Sequence, residues 1–224
     1  MINIEEQRVT LSKIGEEMLN LCQSQVEQSF EAFITFDTDI AEEVILKENR
    51  VNALDLKIEI DLDNFIALNN PVATDLRFAL ALLKINYNLE RIGDQAFDIA
   101  NYTIDLNQKL APELVEKLQF KVMFETLESM FKDIVTAYTD ENLKAARKVF
   151  KKDKVINQIN ANTFLIVEEE VVKNPALVKQ YLMALVVMKK YEKIGDLLKN
   201  ISESIIYYID AKILKHKKEK VIIK

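Results

Sequence analysis

The chain has 224 residues, 49% of them hydrophobic, with three glycines, three prolines and one cysteine. That apolar content suffices for a real core, in one domain or two small ones, and excludes a disordered chain; so few glycines and prolines leave little for the tight turns of a sheet and argue for long helices. A net charge of -6 speaks against general nucleic-acid binding, which relies on lysine and arginine to neutralise phosphates.

Apolar residues recur at three- and four-residue spacing almost throughout, the pattern of amphipathic helices, and six are expected. The first covers 3–36, with Val9, Leu11, Ile14, Met18, Leu21 and Val26 facing inward. Cys22 lies within it, lacks an internal disulfide partner and reads as a packing residue. The second covers 39–68, with Val44, Ile45, Val51, Leu54, Ile58 and Leu62 on its apolar face. Asn69, Asn70 and Pro71 end it and open the third, because Asn caps free amides and Pro suits a first helical turn. The third, 71–106, carries the clearest seam: Phe78, Leu82, Ile85, Leu89, Ile92, Ala96 and Ile99 at four-three spacing, as in a long helix inside an antiparallel bundle. A break at 108–112 opens the second half, with helices expected at 112–138, 140–173 and 175–213, the last again introduced by Asn174 and Pro175. Lys212, Lys215, Lys217, Lys218, Lys220 and Lys224 then form a basic tail, suited to an acidic protein face, a membrane surface or plain solvent. No secretory leader pattern and no run of ~18 apolar residues is present, so a cytoplasmic location is expected.

The halves repeat. A shift of 102 residues lays Glu90-Arg91-Ile92-Gly93-Asp94 on Glu192-Lys193-Ile194-Gly195-Asp196, and the seam on Ala184, Val187, Tyr191, Ile194, Leu198 and Ile201. The expected fold is therefore all-α: two tandem three-helix bundles, 1–107 and 108–224. A resemblance between apolar seams alone would prove little, since all amphipathic helices look alike, but a shared five-residue word is harder to dismiss.

Acidic pairs four residues apart are common at this acid content, about six by chance, so a lone Glu-x-x-x-Asp carries little weight. The glycines change that, because two of the three sit in helix interiors inside the repeated word, each costing about 1 kcal/mol relative to alanine. Close helix packing would offset this cost, and so would room for an ion beside the carboxylates. At i and i+4 Glu90 and Asp94 are neighbours on one face, as are Glu192 and Asp196. They stand one position beyond the seam, at the border of core and solvent. Asp98 extends the first row, with Asn200 at the matching place in the second. The donors are hard oxygens, better suited to magnesium, manganese, calcium or iron than to a tetrahedral structural zinc. Further ligands are expected from the neighbouring helices, at Glu48 and Asp153.

The stretch Asn70-Pro71-Val72-Ala73-Thr74-Asp75-Leu76-Arg77, followed by Leu83-Lys84-Ile85 and Leu89-Glu90-Arg91-Ile92-Gly93-Asp94, resembles the first-half signature of the PhoU family, and Met188-Lys189-Lys190-Tyr191-Glu192-Lys193-Ile194-Gly195-Asp196 resembles the second. The similarity extends over nearly the whole chain, including 37–44. It implies metal clusters, iron or zinc among others, at the Glu/Asp-x-x-x-Asp motifs. It also implies a dimer that restrains phosphate uptake and phosphate-starvation signalling, by linking the ATPase subunit of a phosphate ABC transporter to a membrane sensor histidine kinase. Lys193 stands where the family usually has Arg, and Gln95 and Leu197 stand where it often has His or another polar residue. An enzyme is disfavoured: the single histidine, His216, lies in the basic tail, far from the Glu-x-x-His pairs of di-iron bundles. An accessory protein of a secondary transporter and a metal-free scaffold are the other readings.

Overall fold

The computed structural model describes residues 4–106 and 108–212. Among them the chain forms seven α-helices, a short 3-10 turn and no strand: α1 Ile4–Thr35, α2 Thr38–Asn69, α3 Ala73–Asp105, α4 Pro112–Lys117, α5 Phe120–Thr139, α6 Leu143–Lys173, the turn Pro175–Leu177 and α7 Val178–Asp210. Helices α1 to α3 pack as one three-helix unit and α5 to α7 as another; α3 lies along α7 and α1 meets α5 between them. The lysines of the tail beyond Lys212, and His216, fall outside the described residues, while Lys212 pairs with Asp210 at 2.7 Å.

The helix starts follow from capping chemistry. Asp37 accepts hydrogen bonds from the amides of Asp39 and Ile40 ahead of α2, and Asn142 does the same for Lys144 and Ala145 ahead of α6, satisfying donors that a first turn leaves free. The two caps stand 105 residues apart, as do Lys47 and Lys152, Val51 and Ile156, and Asp55 and Asn160. The first two helices of each unit thus repeat at 105 and the third at 102.

Three expectations about the junctions are corrected. Asn70 does not open α3: with φ 46° and ψ 53° it closes α2, its amide bonded to Ile66 O, and α3 begins only at Ala73, beyond Pro71. Asn is among the few non-glycine residues that accept this left-handed state. Pro175 opens a 3-10 turn, and α7 starts three residues later. The expected helix at 112–138 is two helices, split at Gln119, whose φ is 55°. Leu118 and Phe120 on either side are both buried. In an unbroken helix, residues two apart would point in nearly opposite directions, so the left-handed residue between them lets both face the core.

Every residue of the α3 seam is buried, as is its counterpart along α7. On α1, Leu11, Met18, Leu21 and Val26 are inside as expected, while Ile14 is half-buried and Val9 is exposed. Val9 lies two and a half turns from Met18, hence on the opposite side of the cylinder. Ile45 on α2 is likewise only half-buried.

The α3–α7 contact has pseudo-twofold character. Lys190 donates to Asp98 Oδ2 at 2.5 Å, and Asn200 donates to Asn88 Oδ1 at 3.5 Å; each residue of one pair is 102 positions from a residue of the other. At one end Arg8 stacks between Phe78 and Tyr208, 5.5 and 5.9 Å from the ring centroids, donates to Tyr208 Oη, and pairs with Asp75 and Glu141. Gly15 of α1 lies against Tyr138 of the other unit. A Cβ there would run into Tyr138 Oη and stand 2.8 Å from Leu82 Cδ1, while Tyr138 donates to Ser12 O at 3.1 Å.

Gly15→Ala is therefore expected to destabilise the chain by roughly 1–3 kcal/mol through overpacking, although alanine favours a helix by about 1 kcal/mol. Urea unfolding measures it, and a gain in stability would contradict this packing.

Candidate metal site and the two acidic motifs

On α3, Glu90, Asp94 and Asp98 follow one another at four-residue spacing along the face beside α2. Across from them Glu48 is buried, 8% exposed. Gln25 of α1 donates to Glu48 Oε2 at 2.9 Å and also reaches Val44 O. The second carboxylate oxygen, Glu48 Oε1, is buried with no hydrogen-bond partner. Gly93 makes this approach feasible: a Cβ there would come within 3.0 Å of Val51 Cγ1 and 3.2 Å of both Gln25 Oε1 and Glu48 Oε2. The helix-interior glycine thus serves close packing, and two of the three atoms occupying its space are polar oxygens.

Charge accumulates here. Glu48 titrates above its ordinary value, mainly because burial penalises the carboxylate, with Asp94 and Asp98 adding repulsion against the help of Gln25. Glu90 and Asp94 are raised for the same first reason, then by their acidic neighbours. Asp55, two turns further along α2, is raised by burial and Glu59, although Asn86 donates to it at 2.7 Å. Arg91 stacks over Tyr87 at 5.5 Å; its charge still lowers Glu90 and Asp94 through space. The cation that touches the row comes from the other unit, where Lys190 bonds Asp98.

The second motif brings Glu192 and Asp196 of α7 toward Asp153 of α6, which is 6% exposed. Here a cation is built in. Lys199 Nζ lies 2.8 Å from Asp196 Oδ1 and 2.9 Å from Asp153 Oδ2, and Asn157 donates to the latter oxygen at 3.2 Å. Burial pulls the Lys199 ammonium down, but its hydrogen bonds to Asp196 and Asp153 outweigh this and hold it above the usual lysine value. Glu192 is raised by burial, then by Asp196. Gly195 faces Ile156, whose Cγ2 would sit 3.2 Å from a Cβ. Asn200, at the place matching Asp98, turns to Asn88 on α3.

The chain thus places Glu48, Glu90, Asp94 and Asp98 along the α2–α3 pair and Glu192, Asp196 and Asp153 along the α6–α7 pair. Among the described residues, no three His, Cys, Asp or Glu side chains converge closely enough to form a ready-made metal shell. The first motif suits a cation in donor chemistry and in charge that no ammonium of its own unit offsets; in the second Lys199 already offsets the charge, and each copy keeps one buried carboxylate oxygen unpartnered, Glu48 Oε1 and Asp153 Oδ1. Lys199 and Gln25 escaped sequence reasoning. A position-by-position comparison of the two copies would have revealed Lys199, since Phe97 occupies the matching place.

The PhoU domain model matches residues 16–103 and 120–205, so both motifs fall inside a matched segment. The chain belongs to the PhoU family. It is 31% identical to the phosphate-specific transport system accessory protein PhoU homolog of Clostridium acetobutylicum over 94% of each chain. It is 26% identical to the PhoU homolog 1 of Thermotoga maritima, covering 96% of this chain and 92% of the relative. The crystal structure of PhoU from Pseudomonas aeruginosa superposes with a TM-score of 0.89 at 22% identity, over 94% of this chain and all of that one. The phosphate transport system regulatory protein PhoU from Streptococcus pneumoniae gives 0.82, also at 22% identity, over 95% of this chain and 99% of that one. At that identity the solved structures establish the fold of this PhoU family member.

Glu48 supplies a pH test. A carboxyl raised in the folded state takes up its proton before the unfolded chain does, so its penalty is present above the folded pKa and is relieved as pH falls toward the ordinary glutamate value. Glu48→Gln is expected to raise the melting temperature at neutral pH in the presence of chelator, with the difference from the unmodified chain shrinking as the pH is lowered. A pH-independent difference would contradict the assignment.

Proposed function

We propose that the chain is an accessory regulator of phosphate transport, and that it acts by holding partner proteins rather than by turning over a substrate. The observation that carries this reading is membership of the PhoU family over nearly the whole chain, with relatives named as accessory proteins of phosphate-specific transport systems. Its partners on this reading are the ATPase subunit of a phosphate ABC transporter and a membrane sensor histidine kinase. The chain restrains uptake and starvation signalling as a cytoplasmic homodimer, reaching the membrane through those partners. Among the described residues no helix is long and apolar enough to cross a membrane.

A binding role is supported by the surface. Helix α2 exposes Leu46, Leu56 and Ile60, and α6 exposes Phe164, Leu165 and Val172. Ile60 and Leu165 stand at equivalent positions of the two units, 105 residues apart. Exposed aliphatic and aromatic side chains grouped on a helix face are typical of protein contact surfaces. Chemistry by a thiol is disfavoured, since Cys22 is buried, donates to Leu89 O and has its thiol pushed far up by burial.

In this proposal the first motif holds a divalent or iron cation, with Mg, Mn, Fe and Zn as candidates. Glu48, Glu90 and Asp94 supply oxygens and Asp98 is available once released from Lys190. The ion would neutralise the groove and fix the spacing of α2 against α3, so the chain's own contribution is to set the faces that partners read. Phosphate status enters through the transporter.

The test replaces Glu90 with Gln and Asp94 with Asn in the host. Metal content of the purified chain, by elemental analysis, should fall, and a phosphate-starvation reporter should become active in phosphate-rich medium. Unchanged metal and unchanged reporter would leave the motif a packing element of a scaffold. Co-purification of a secondary transporter in place of the ABC-type ATPase would redirect the partner assignment. Tight phosphate binding by metal-free protein in calorimetry would overturn the sensing scheme.

A further inference from the structure

The two motifs differ at one position that decides their charge. Shifting by the 102 residues that superimpose Glu192 on Glu90 brings Lys199 onto Phe97. Lys199 joins two helices electrostatically, with its ammonium between Asp196 of α7 and Asp153 of α6. An ion bridging those helices would need the same oxygens. In the first copy the carboxylate at the matching place, Glu48, is met by the neutral amides of Gln25 and Asn52 rather than by an ammonium.

We propose that Lys199 is a permanent, covalently tethered counter-ion that closes the second acidic motif to metal. The ammonium is charged at neutral pH and never has to be captured from solution. A divalent cation entering beside it would meet a like charge at contact distance and, on displacing it, would strand a partly buried ammonium without its two carboxylates, an outcome more costly than leaving the pair in place. Asp153 Oδ1 remains buried without a partner, so the lysine neutralises the site without saturating it, and its removal exposes a donor set of three carboxylates, Glu192, Asp196 and Asp153. The lysine is held from both sides, which distinguishes it from a solvated surface charge: Asn157 supports Asp153, and Asp196 lies one turn away on the same helix. The inference deepens the metal reading of the family motifs, but it is tested without relying on the first motif.

The experiment uses the full chain with the first motif disabled by Glu90→Gln and Asp94→Asn, and manganese(II) as the probe, followed by electron paramagnetic resonance and calorimetry. With Lys199 present, no saturable uptake is expected. Adding Lys199→Met should create saturable binding that Asp196→Asn abolishes, whereas Lys199→Arg should leave the motif closed. Manganese uptake that depends on Asp196 while Lys199 is intact would overturn the proposal, and so would a folded Lys199→Met chain that gains none. If Lys199→Met fails to fold, the unmodified chain decides: the Nζ resonance of Lys199 should keep its ion-paired shift at saturating magnesium, and displacement of that resonance overturns the closure. Manganese uptake by the chain with both motifs intact separately reports on the first motif, so the failure of one reading is distinguishable from failure of the other.

Discussion

Like charge at the edge of an apolar seam is the constraint on which both units are built. Each carries carboxylates on its third helix one position beyond buried leucine or tyrosine, and each faces them with a further, buried carboxylate from the second helix. Anions so placed repel, and burial strengthens the repulsion by weakening solvent screening. The units resolve it differently. In the second, one partly exposed lysine serves two acids. In the first, an amide from Gln25, the more distant field of Arg91 and a lysine from the other unit share the task, and the acids stay raised. A PhoU family chain can thus preserve one fold twice while treating the same electrostatic problem in two ways.

Much of this was legible in the sequence. Periodicity gave five of the seven helices to within a few residues, because a heptad-like seam reports directly which side of a helix is dry. The repeated Glu-x-Ile-Gly-Asp word gave the register of α7 on α3. The junctions were harder. Asn70 reads equally well as the end of one helix or the start of the next, and only the backbone angle separates the two. The left-handed turn at Gln119 has no local signature, since it exists to bring Leu118 and Phe120 onto the same core.

The acidic groups were found by their spacing, but their partners were not. Glu48 and Asp153 are the candidates expected from the neighbouring helices, and both are buried. Lys199 carries no mark in the sequence: a lysine three residues after an aspartate usually sits on a solvated helix face, worth a few tenths of a kcal/mol. What makes it different is Asp153 arriving from another helix, a tertiary fact that periodicity does not encode. The glycines were noticed for the right reason, a repeated local cost, while the compensation at Gly15 lies in Tyr138, far away in sequence.

The bridge from Lys190 to Asp98 ties the charge state of one half to the seating of the other. Lys190 can satisfy Asp98 only while α3 and α7 keep their present crossing, and an incoming cation competes for the same carboxylate. Thermodynamic linkage then runs both ways. On the proposed metal reading, a partner that moved α7 away from α3 would free an anionic oxygen for the ion, and an ion that took Asp98 would weaken the α3–α7 contact in return.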